Sequence, residues 1–168
     1  KYDYAFHFRE GLGIVKLNGN YNRGYFGYVN TQGEEIVPCK YHDAFHFREG
    51  LGLVELNRKR GYVNAQGEEI MPCIYDDAGS FSQGLAYVQL NGKYGYINTQ
   101  GEEVVPCKYD DAGSFSQGLA YVQLNGKWGY INIQGEEVVP CIYDDAGSFS
   151  QGLAYFRLNG KYGYINTQ

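Results

Sequence analysis

Gly118-Leu-Ala-Tyr-Val-Gln-Leu-Asn-Gly-Lys-Trp-Gly-Tyr-Ile-Asn132 decides the fold, because this stretch predicts one β-hairpin. Asn125-Gly126 predicts a two-residue type I′ turn, which needs a positive φ at both central residues. Counting outward from the turn gives the register, with Leu124 opposite Lys127, Val122 opposite Gly129, Ala120 opposite Ile131, Gln123 opposite Trp128 and Tyr121 opposite Tyr130. One face of the hairpin is therefore aliphatic, and the other is aromatic and polar.

A period of 34 residues repeats this hairpin along the chain, and four cysteines mark the period, at Cys39, Cys73, Cys107 and Cys141. The hairpin recurs at Leu85–Asn98 and Leu153–Asn166, and in altered form at Leu12–Asn30 and Leu51–Asn64. We assign five repeats in one domain, at residues 1–38, 39–72, 73–106, 107–140 and 141–168, the last of them incomplete. The sequence opens at Lys1 inside a repeat, so we expect it to be part of a longer chain.

A third strand is predicted after the hairpin in four of the repeats. The predicted strands are Glu35–Pro38, Glu69–Pro72, Glu103–Pro106 and Glu137–Pro140. The proline removes a backbone donor, so the strand either ends there or lies on the edge of a sheet.

The segment Tyr143–Gly152 connects one repeat to the next and predicts a short helical turn. Asp144 or Asp145 is a suitable cap for such a turn. Ala146 and Phe149 are three residues apart, so they lie on the same side and pack inward.

Two repeats differ from the others in their turns. Repeat 1 has five extra residues, in the region Asn18–Tyr25, whose tyrosines are either a contact point or part of a tolerated surface insertion. Repeat 2 has Arg58 where repeats 3 to 5 have the turn glycine, and arginine disfavours positive φ. We therefore expect a looser turn in repeat 2.

Composition and repetition together predict an all-β protein. The 24 glycines suit tight turns, and the 18 tyrosines suit half-buried strands. One repeat buries too little alone, so we expect neighbouring repeats to cover the aliphatic face of Ala120, Val122 and Ile131. We predict an open array (solenoid) of five β-hairpin or three-stranded repeats with a short helical turn between units. The alternative is a propeller-like closed ring.

Charge and hydropathy argue against two classes of partner. The chain has 14 Lys and Arg residues against 19 Asp and Glu residues, which gives a net charge of −5. Nucleic acids and anionic membranes attract positive surfaces, so we expect no nucleic-acid partner. No apolar run approaches the ~18 residues of a membrane span, so we expect no membrane insertion.

One ordered set of motifs recurs along the chain. In repeat 4 and the start of repeat 5 it consists of Asn125-Gly-Lys-Trp-Gly-Tyr-Ile131, Gly135-Glu-Glu-Val-Val-Pro140, Tyr143-Asp-Asp-Ala146, Phe149 and Gly152-Leu153. With this set the chain resembles the bacterial WG-repeat family, also called KWG repeats, five times over. The Trp-Gly pair itself occurs only at Trp128-Gly129. The resemblance implies a β-rich array used for binding or structure, with no common catalytic activity and no functional residues to carry over.

The residues that might carry chemistry favour structural roles. One cysteine per repeat is poor for a metal site or a disulfide, so free, buried thiols are expected. The aspartate pairs, such as Asp144-Asp145, offer too few oxygens for Ca²⁺ and suit turns. His7 and His46 have no nucleophile nearby in the sequence. We therefore expect no enzyme activity, no catalytic residues, no metal and no cofactor.

The aromatic face of the hairpins is the best candidate binding surface. Its residues in repeats 3 to 5 are Tyr87, Tyr94, Tyr96, Tyr121, Trp128, Tyr130, Tyr155, Tyr162 and Tyr164. Such rings suit peptide segments or sugar rings, and they equally suit the core between neighbouring repeats.

Two hypotheses of function follow from these patterns. The first is a non-enzymatic structural or interaction module whose repetitive surface binds protein or assembles with itself head to tail, in a filament. The alternative is a glycan-binding or cell-wall-binding surface module that uses the aromatic face for polysaccharide.

Overall fold

The computed structural model describes residues 1–17 and 24–166, and the chain divides into two compact units, Lys1–Ser80 and Phe81–Gln168. The regular structure in the described residues consists of β-strands, with no helix. Accordingly, no helix in the described part of the chain is long and apolar enough to cross a membrane. Most of the predicted contact loop Asn18–Tyr25 lies outside the described residues.

The first unit contains two antiparallel four-stranded sheets. Its strands are β1 (Tyr4–Arg9), β2 (Leu12–Leu17), β3 (Tyr25–Asn30), β4 (Glu35–Tyr41), β5 (Asp43–Ala44), β6 (Leu51–Leu56), β7 (Lys59–Asn64), β8 (Glu69–Tyr75) and β9 (Asp77–Ala78). The first sheet has the order β1-β2-β3-β4, and the second has the order β5-β6-β7-β8.

The second unit continues the same pattern. Its strands are β10 (Leu85–Leu90), β11 (Lys93–Asn98), β12 (Glu103–Tyr109), β13 (Asp111–Ala112), β14 (Leu119–Leu124), β15 (Lys127–Asn132), β16 (Glu137–Tyr143), β17 (Asp145–Ala146), β18 (Leu153–Leu158) and β19 (Lys161–Asn166). The third sheet contains β10-β11-β12, the fourth is β13-β14-β15-β16, and the fifth is β17-β18-β19. The predicted all-β array of repeats is therefore confirmed, and no sheet in the described residues closes into a barrel.

The hairpin register agrees with the prediction. β14 and β15 pair so that Leu124 lies opposite Lys127, Val122 opposite Gly129 and Tyr121 opposite Tyr130. Asn125 has a φ of 51° and Gly126 a φ of 74°, as a type I′ turn requires.

Repeat 2 has the same tight turn, so the expected looser turn is wrong. Asn57 and Arg58 have φ values of 54° and 62°, and Leu56 still lies opposite Lys59. The pairing of β6 with β7 on both sides of the turn holds Arg58 in the left-handed conformation, which costs an L-residue roughly 1–2 kcal/mol.

The third strand continues beyond its proline, which corrects the predicted end at Pro140, and the alternative prediction of an edge strand is confirmed. β16 extends to Tyr143 and is the edge strand of its sheet, which is the position that tolerates proline. The register jumps between Tyr130 opposite Val139 and Trp128 opposite Tyr143, so the strand bulges opposite Gly129.

The predicted helical turn is also wrong, because Asp145 begins a short strand instead. Asp145–Ala146 is β17, and it pairs with Arg157 and Phe156 of β18. The Asp145 side chain accepts a hydrogen bond from the amide of Ala146 at 3.0 Å, a local bond that is compatible with either conformation. Ala146 and Phe149 do pack inward, with 6% and 2% of their surfaces exposed.

The aliphatic face of the hairpin is buried as predicted. Ala120, Val122 and Ile131 join one hydrophobic cluster in the second unit and are at most 1% exposed. This core fixes the strands whose other face carries the predicted aromatic residues.

Candidate functional site

The nine predicted aromatic residues fall into three groups according to their burial. Tyr96 and Tyr130 are fully buried. The half-buried residues are Tyr87, Tyr94, Tyr121 and Trp128. The exposed residues are Tyr155, Tyr162 and Tyr164, at 41%, 69% and 74%.

The buried tyrosines tie one sheet to the next. The hydroxyl of Tyr96 donates a hydrogen bond to the carbonyl of Gly113 at 2.7 Å, and the hydroxyl of Tyr130 donates to the carbonyl of Gly147 at 2.8 Å. In the first unit Tyr28 makes the same bond to Phe45 at 2.6 Å. Burial raises the pKa of Tyr130 to about 12, so its hydroxyl keeps its proton at neutral pH.

A phenylalanine of the following sheet packs against each of these tyrosines. The ring centroids of Tyr130 and Phe149 lie 5.0 Å apart in an edge-to-face arrangement, and those of Tyr28 and Phe47 lie 4.9 Å apart. Such pairs contribute roughly 0.5–1.5 kcal/mol beyond the area they bury. These rings therefore belong to the core between sheets, which is the structural role that the sequence left open.

Two pairs of half-buried rings lie beside this core. The rings of Tyr87 and Tyr94 are 5.9 Å apart, and those of Tyr121 and Trp128 are 5.4 Å apart, both edge to face. Each ring already contacts the other ring of its pair, so only part of its surface is available to a ligand.

The large ring that lies beside Trp128 in the fourth sheet belongs to a hairpin strand, whereas in the second sheet the corresponding ring belongs to the connecting segment. In the fourth sheet the Tyr121 ring lies against Gly113, where an added Cβ would be 2.3 Å from the ring. The second sheet has Phe45 at the position of Gly113 and Leu53 at the position of Tyr121. In each of these two sheets one large ring is present. Where the connecting segment supplies it, the hairpin position is aliphatic, and where the hairpin strand supplies it, the position in the connecting segment is glycine.

Polar contacts also recur between successive sheets. Lys127 pairs with Asp144, as Lys93 does with Asp110 and Lys59 with Asp76. These lysines hold the pKa of Asp110 and Asp144 below its ordinary value.

A further hydrogen bond is made by the glutamine that precedes the last glycine of a connecting segment. The side chain of Gln117 accepts a hydrogen bond from the amide of Gly152 at 2.8 Å, and that of Gln83 accepts one from Gly118 at 2.8 Å. The contacts between the third and fourth sheets therefore recur between the fourth and fifth sheets.

The exposed tyrosines line an open groove on the fifth sheet. Tyr155, Tyr162 and Tyr164 face it together with Asp145, and its volume is about 500 Å³. Tyr164 is the counterpart of the buried Tyr130. The surface that is buried between sheets in the fourth sheet is therefore accessible on the fifth.

Sequence reasoning missed a cavity in the first unit. It has a volume of about 300 Å³ and is lined by aromatic rings, by Asp43 and by Lys16, which is only 2% exposed. The available signal was the hairpin position of Lys16, where repeats 3 and 4 have Gln89 and Gln123.

The cysteines are free thiols, as predicted, but they are only half-buried. Each thiol lies near a backbone carbonyl of its own sheet, for example Cys141 at 3.7 Å from the oxygen of Val122. Burial, assisted by Glu137, raises the pKa of Cys141 to about 11. A thiol that stays protonated at neutral pH is a poor nucleophile.

Comparisons with known proteins agree with this repeat geometry. A family model described as the WG containing repeat matches residues 1–21, 26–59, 61–94, 94–128 and 128–162. No curated protein matches the chain. A solved structure titled Kluyveromyces lactis Hsv2 with complete loop 6CD is similar to 94% of this chain at 12% identity, with a TM-score of 0.54. This chain spans 57% of that structure's length, and the likeness concerns the fold alone.

Proposed function

Because the chain belongs to the family of the WG containing repeat, we propose that it is a non-enzymatic interaction module that assembles head to tail. In this proposal the outer face of the fifth sheet in one copy binds the outer face of the first sheet in another copy. The new contact repeats the contact that successive sheets make within the chain.

The exposure of Tyr164 is the observation that carries the proposal. Tyr164 is 74% exposed, whereas its counterparts Tyr96 and Tyr130 are fully buried under the following sheet. A large ring at this position is suited to burial, and its hydroxyl is suited to a carbonyl acceptor.

The first sheet exposes the complementary group. Phe8 is 52% exposed, whereas its counterparts Phe47 and Phe149 are 1% and 2% exposed. Each of those counterparts packs against a tyrosine of the preceding sheet. One surface therefore offers the tyrosine and the other offers the phenylalanine of the same ring pair.

Polar groups on the two faces support the same pairing. Lys161 and Gln151 of the fifth sheet are the counterparts of Lys127 and Gln117, which bind the following sheet. Asp3 of the first sheet is the counterpart of Asp144, which receives the lysine. A second copy of this chain thus has the charge and hydrogen-bond groups that the fifth sheet can bind.

Sedimentation velocity of two blocked variants tests this proposal. Phe8→Asp leaves the tyrosine face intact, and Tyr164→Asp leaves the phenylalanine face intact. We expect the wild-type chain to grow into oligomers with concentration, each variant alone to stay monomeric, and their equimolar mixture to form a one-to-one dimer that stops there. Ile133→Asp, at an exposed position on the fourth sheet, is the matched control and should assemble like wild type.

Two results contradict head-to-tail assembly. One is a wild-type chain that stays monomeric at all concentrations, and the other is a Phe8→Asp variant that still forms dimers by itself. Circular dichroism of each variant verifies that the strands are retained.

The groove on the fifth sheet favours one further candidate, the binding of polysaccharide. Three exposed tyrosines beside Asp145 offer stacking surfaces and a hydrogen-bond acceptor to sugar rings. Titration with cell-wall polysaccharides, followed by tyrosine fluorescence, tests this function. Tyr162→Ala should abolish a saccharide response, and a response that survives this change argues against the groove as the site.

A further inference from the structure

The fifth sheet has an open edge at β19. β19 pairs with β18 on one side, and in the part of the chain that the structure describes no strand lies on its other side. In each of the other four sheets the corresponding strand pairs there with an edge strand, namely β4, β8, β12 or β16. An open edge offers its backbone amides and carbonyls to an added strand.

The exposure of Ile165 shows that this edge is accessible. Its counterpart Ile131 in the fourth sheet is fully buried, whereas Ile165 is half-buried. Ile165 packs against the cluster that contains Tyr130 of the fourth sheet, so the face on which it lies is covered. Ile131 also has β16 beside it, with Glu137 opposite. The remaining exposure of Ile165 is therefore at the open edge.

The third sheet shows how a strand fills such an edge. There Tyr96 lies opposite Val105. The side chain of Asn98 donates a hydrogen bond to the Glu102 carboxylate at 2.7 Å and accepts one from the Glu102 amide at 2.9 Å. The first, second and fourth sheets repeat both features. One arrangement of backbone and side chain thus fixes the register of the added strand.

The sequence of β19 identifies the strand that fits it. β19 and β11 have the same sequence, Lys-Tyr-Gly-Tyr-Ile-Asn, and β11 pairs with β12 of the segment Gly101-Glu-Glu-Val-Val-Pro-Cys-Lys-Tyr109. Pro106 lacks an amide proton and is tolerated in this segment, because β12 is the outermost strand of its sheet. A peptide of this sequence therefore has the register partners that β19 can bind.

The fourth sheet exposes a second contact for the same peptide. Val138 is 48% exposed, whereas its counterpart Val104 in the third sheet is half-buried. The turn glycine of the following repeat, Gly135, lies against Val104, and a Cβ added to it would be 3.4 Å from the Val104 carbonyl oxygen. Gly101 is the glycine of the equivalent turn, so a peptide that begins with it would cover Val138.

One side chain occupies part of the open edge. The ring of Phe156 lies over Gly163, where an added Cβ would be 2.7 Å from the ring carbon Cζ. In the third sheet the strand backbone takes this place, since the carbonyl oxygen of Val105 lies 2.4 Å from a Cβ added to Gly95. A bound strand must therefore displace the end of the Phe156 ring. The other four sheets have valine at the position of Phe156.

We propose that the open edge of β19 binds an extended peptide of a separate chain, with the sequence character of residues 101–109. The peptide has two glutamates, two β-branched residues and a proline in that order, and it adds a fourth strand to the fifth sheet in the register of β12 on β11. This binding does not rest on the proposed assembly, because assembly uses the faces of two sheets and the peptide uses an edge.

A synthetic peptide of residues 101–109 tests the proposal on the full chain. It carries Cys107→Ser, which prevents oxidation, and a fluorescent label at its C-terminus. By fluorescence anisotropy we expect saturable binding with a Kd below about 0.5 mM, and a scrambled peptide of the same composition should bind at least about tenfold more weakly. Phe8→Asp, which blocks the proposed assembly, should bind the peptide like wild type, so the two proposals are tested separately.

Hydrogen exchange followed by mass spectrometry locates the bound peptide. The amides of β19 should exchange more slowly when the peptide is present, because an added strand accepts their hydrogen bonds. The amides of β15 are the internal control, since β15 already pairs with β16.

Three variants test the geometry of the edge. Phe156→Val removes the ring that a bound strand must displace, so it should tighten peptide binding by about threefold or more. In that background Gly163→Ala places a methyl group where the peptide backbone would lie, and it should weaken binding by at least about tenfold. Ile74→Ser changes an exposed residue of β8 in the first unit and should leave the affinity unchanged.

Several outcomes overturn the proposal. They are the absence of saturable binding by the wild-type chain up to about 0.5 mM, equal affinity for the scrambled peptide, and protection of other strands without β19. Unchanged affinity after adding Gly163→Ala to a folded Phe156→Val variant does the same. Circular dichroism verifies folding, and the exchange measurement on the wild-type chain decides if a variant does not fold.

Discussion

Gly129 lies at a position where the strand has no room for a side chain. A Cβ at this position would lie 2.5 Å from the carbonyl oxygen of Val139 and 2.7 Å from the amide nitrogen of Cys141. These atoms belong to the bulged edge strand, so they cannot move without breaking its pairing. The glycine of the Trp-Gly pair is therefore required by the close approach of another backbone.

Replacing Gly129 by valine should lower the free energy of unfolding by about 3 kcal/mol. The matched change is Gly126→Ala, where an added Cβ meets no atom within 4 Å and only the φ of 74° is unfavourable. That change should cost about 1 kcal/mol. Urea titrations of both variants measure the difference, and equal costs would show that the bulge yields to the larger side chain.

The hairpin is the element that the sequence predicts best. Asn125-Gly126 fixes a two-residue turn, and the turn then fixes each opposed pair by counting. The connecting segment is predicted poorly, because an aspartate that bonds a nearby amide is equally suited to a helix cap and to the start of β17. The partner strand β18 decides between them, and a local pattern does not contain that partner.

Local sequence patterns likewise do not predict the cavity beside Lys16. Its walls come from the first sheet and from the start of the second, including Ala44 and His46. The aromatic face was predicted by register, but its division into core and surface depends on which sheet covers which ring. Tyr96 and Tyr164 lie in identical stretches of sequence, residues 90–100 and 158–168, and have opposite exposure for this reason.

The hydroxyl of Tyr130 makes its own contribution to the contact between the fourth and fifth sheets. Tyr130→Phe leaves the ring in place and removes the donor to Gly147, so it should cost about 1–2 kcal/mol of unfolding free energy. Tyr162→Phe removes a hydroxyl from a ring that is 69% exposed and should change the stability little. Thermal unfolding of the two variants compares them, and an unchanged stability of Tyr130→Phe would mean that the hydroxyl contributes nothing to the contact between these sheets.

At the scale of the whole molecule, shifted pKa values make the stability depend on pH at both the acid and the alkaline end. Asp110 and Asp144 have a pKa below the ordinary 3.8, so their contribution is present above that pH and is lost as the pH falls through the lowered value. Cys141 has a pKa raised from 9.0 to about 11, and Tyr130 has one raised from 10.0 to about 12. Their contribution is present below the ordinary values and is lost as the pH rises towards the raised ones.

We therefore expect the unfolding midpoint in urea to fall below pH 3.8 and again above pH 9.0. Cys141→Ala removes one titrating group and should make the alkaline fall less steep. Lys40→Met is the control, because Lys40 is an exposed residue outside these contacts. A midpoint that stays constant from pH 9.0 to about 11 would contradict the raised pKa of Cys141.

The large ring comes from Tyr121, packed over Gly113, in the fourth sheet and from Phe45, which is followed by Leu53, in the second. This difference limits where recombination between the gene segments of two repeats gives a well-packed protein. A crossover between the connecting segment and the hairpin strand would join Phe to Tyr or Gly to Leu, and the hybrid protein would have two rings or none in one place. A crossover inside the Asn-Gly turn keeps each ring with its matching small residue. We therefore expect functional hybrids of these repeats to keep the connecting segment together with the hairpin strand that follows it.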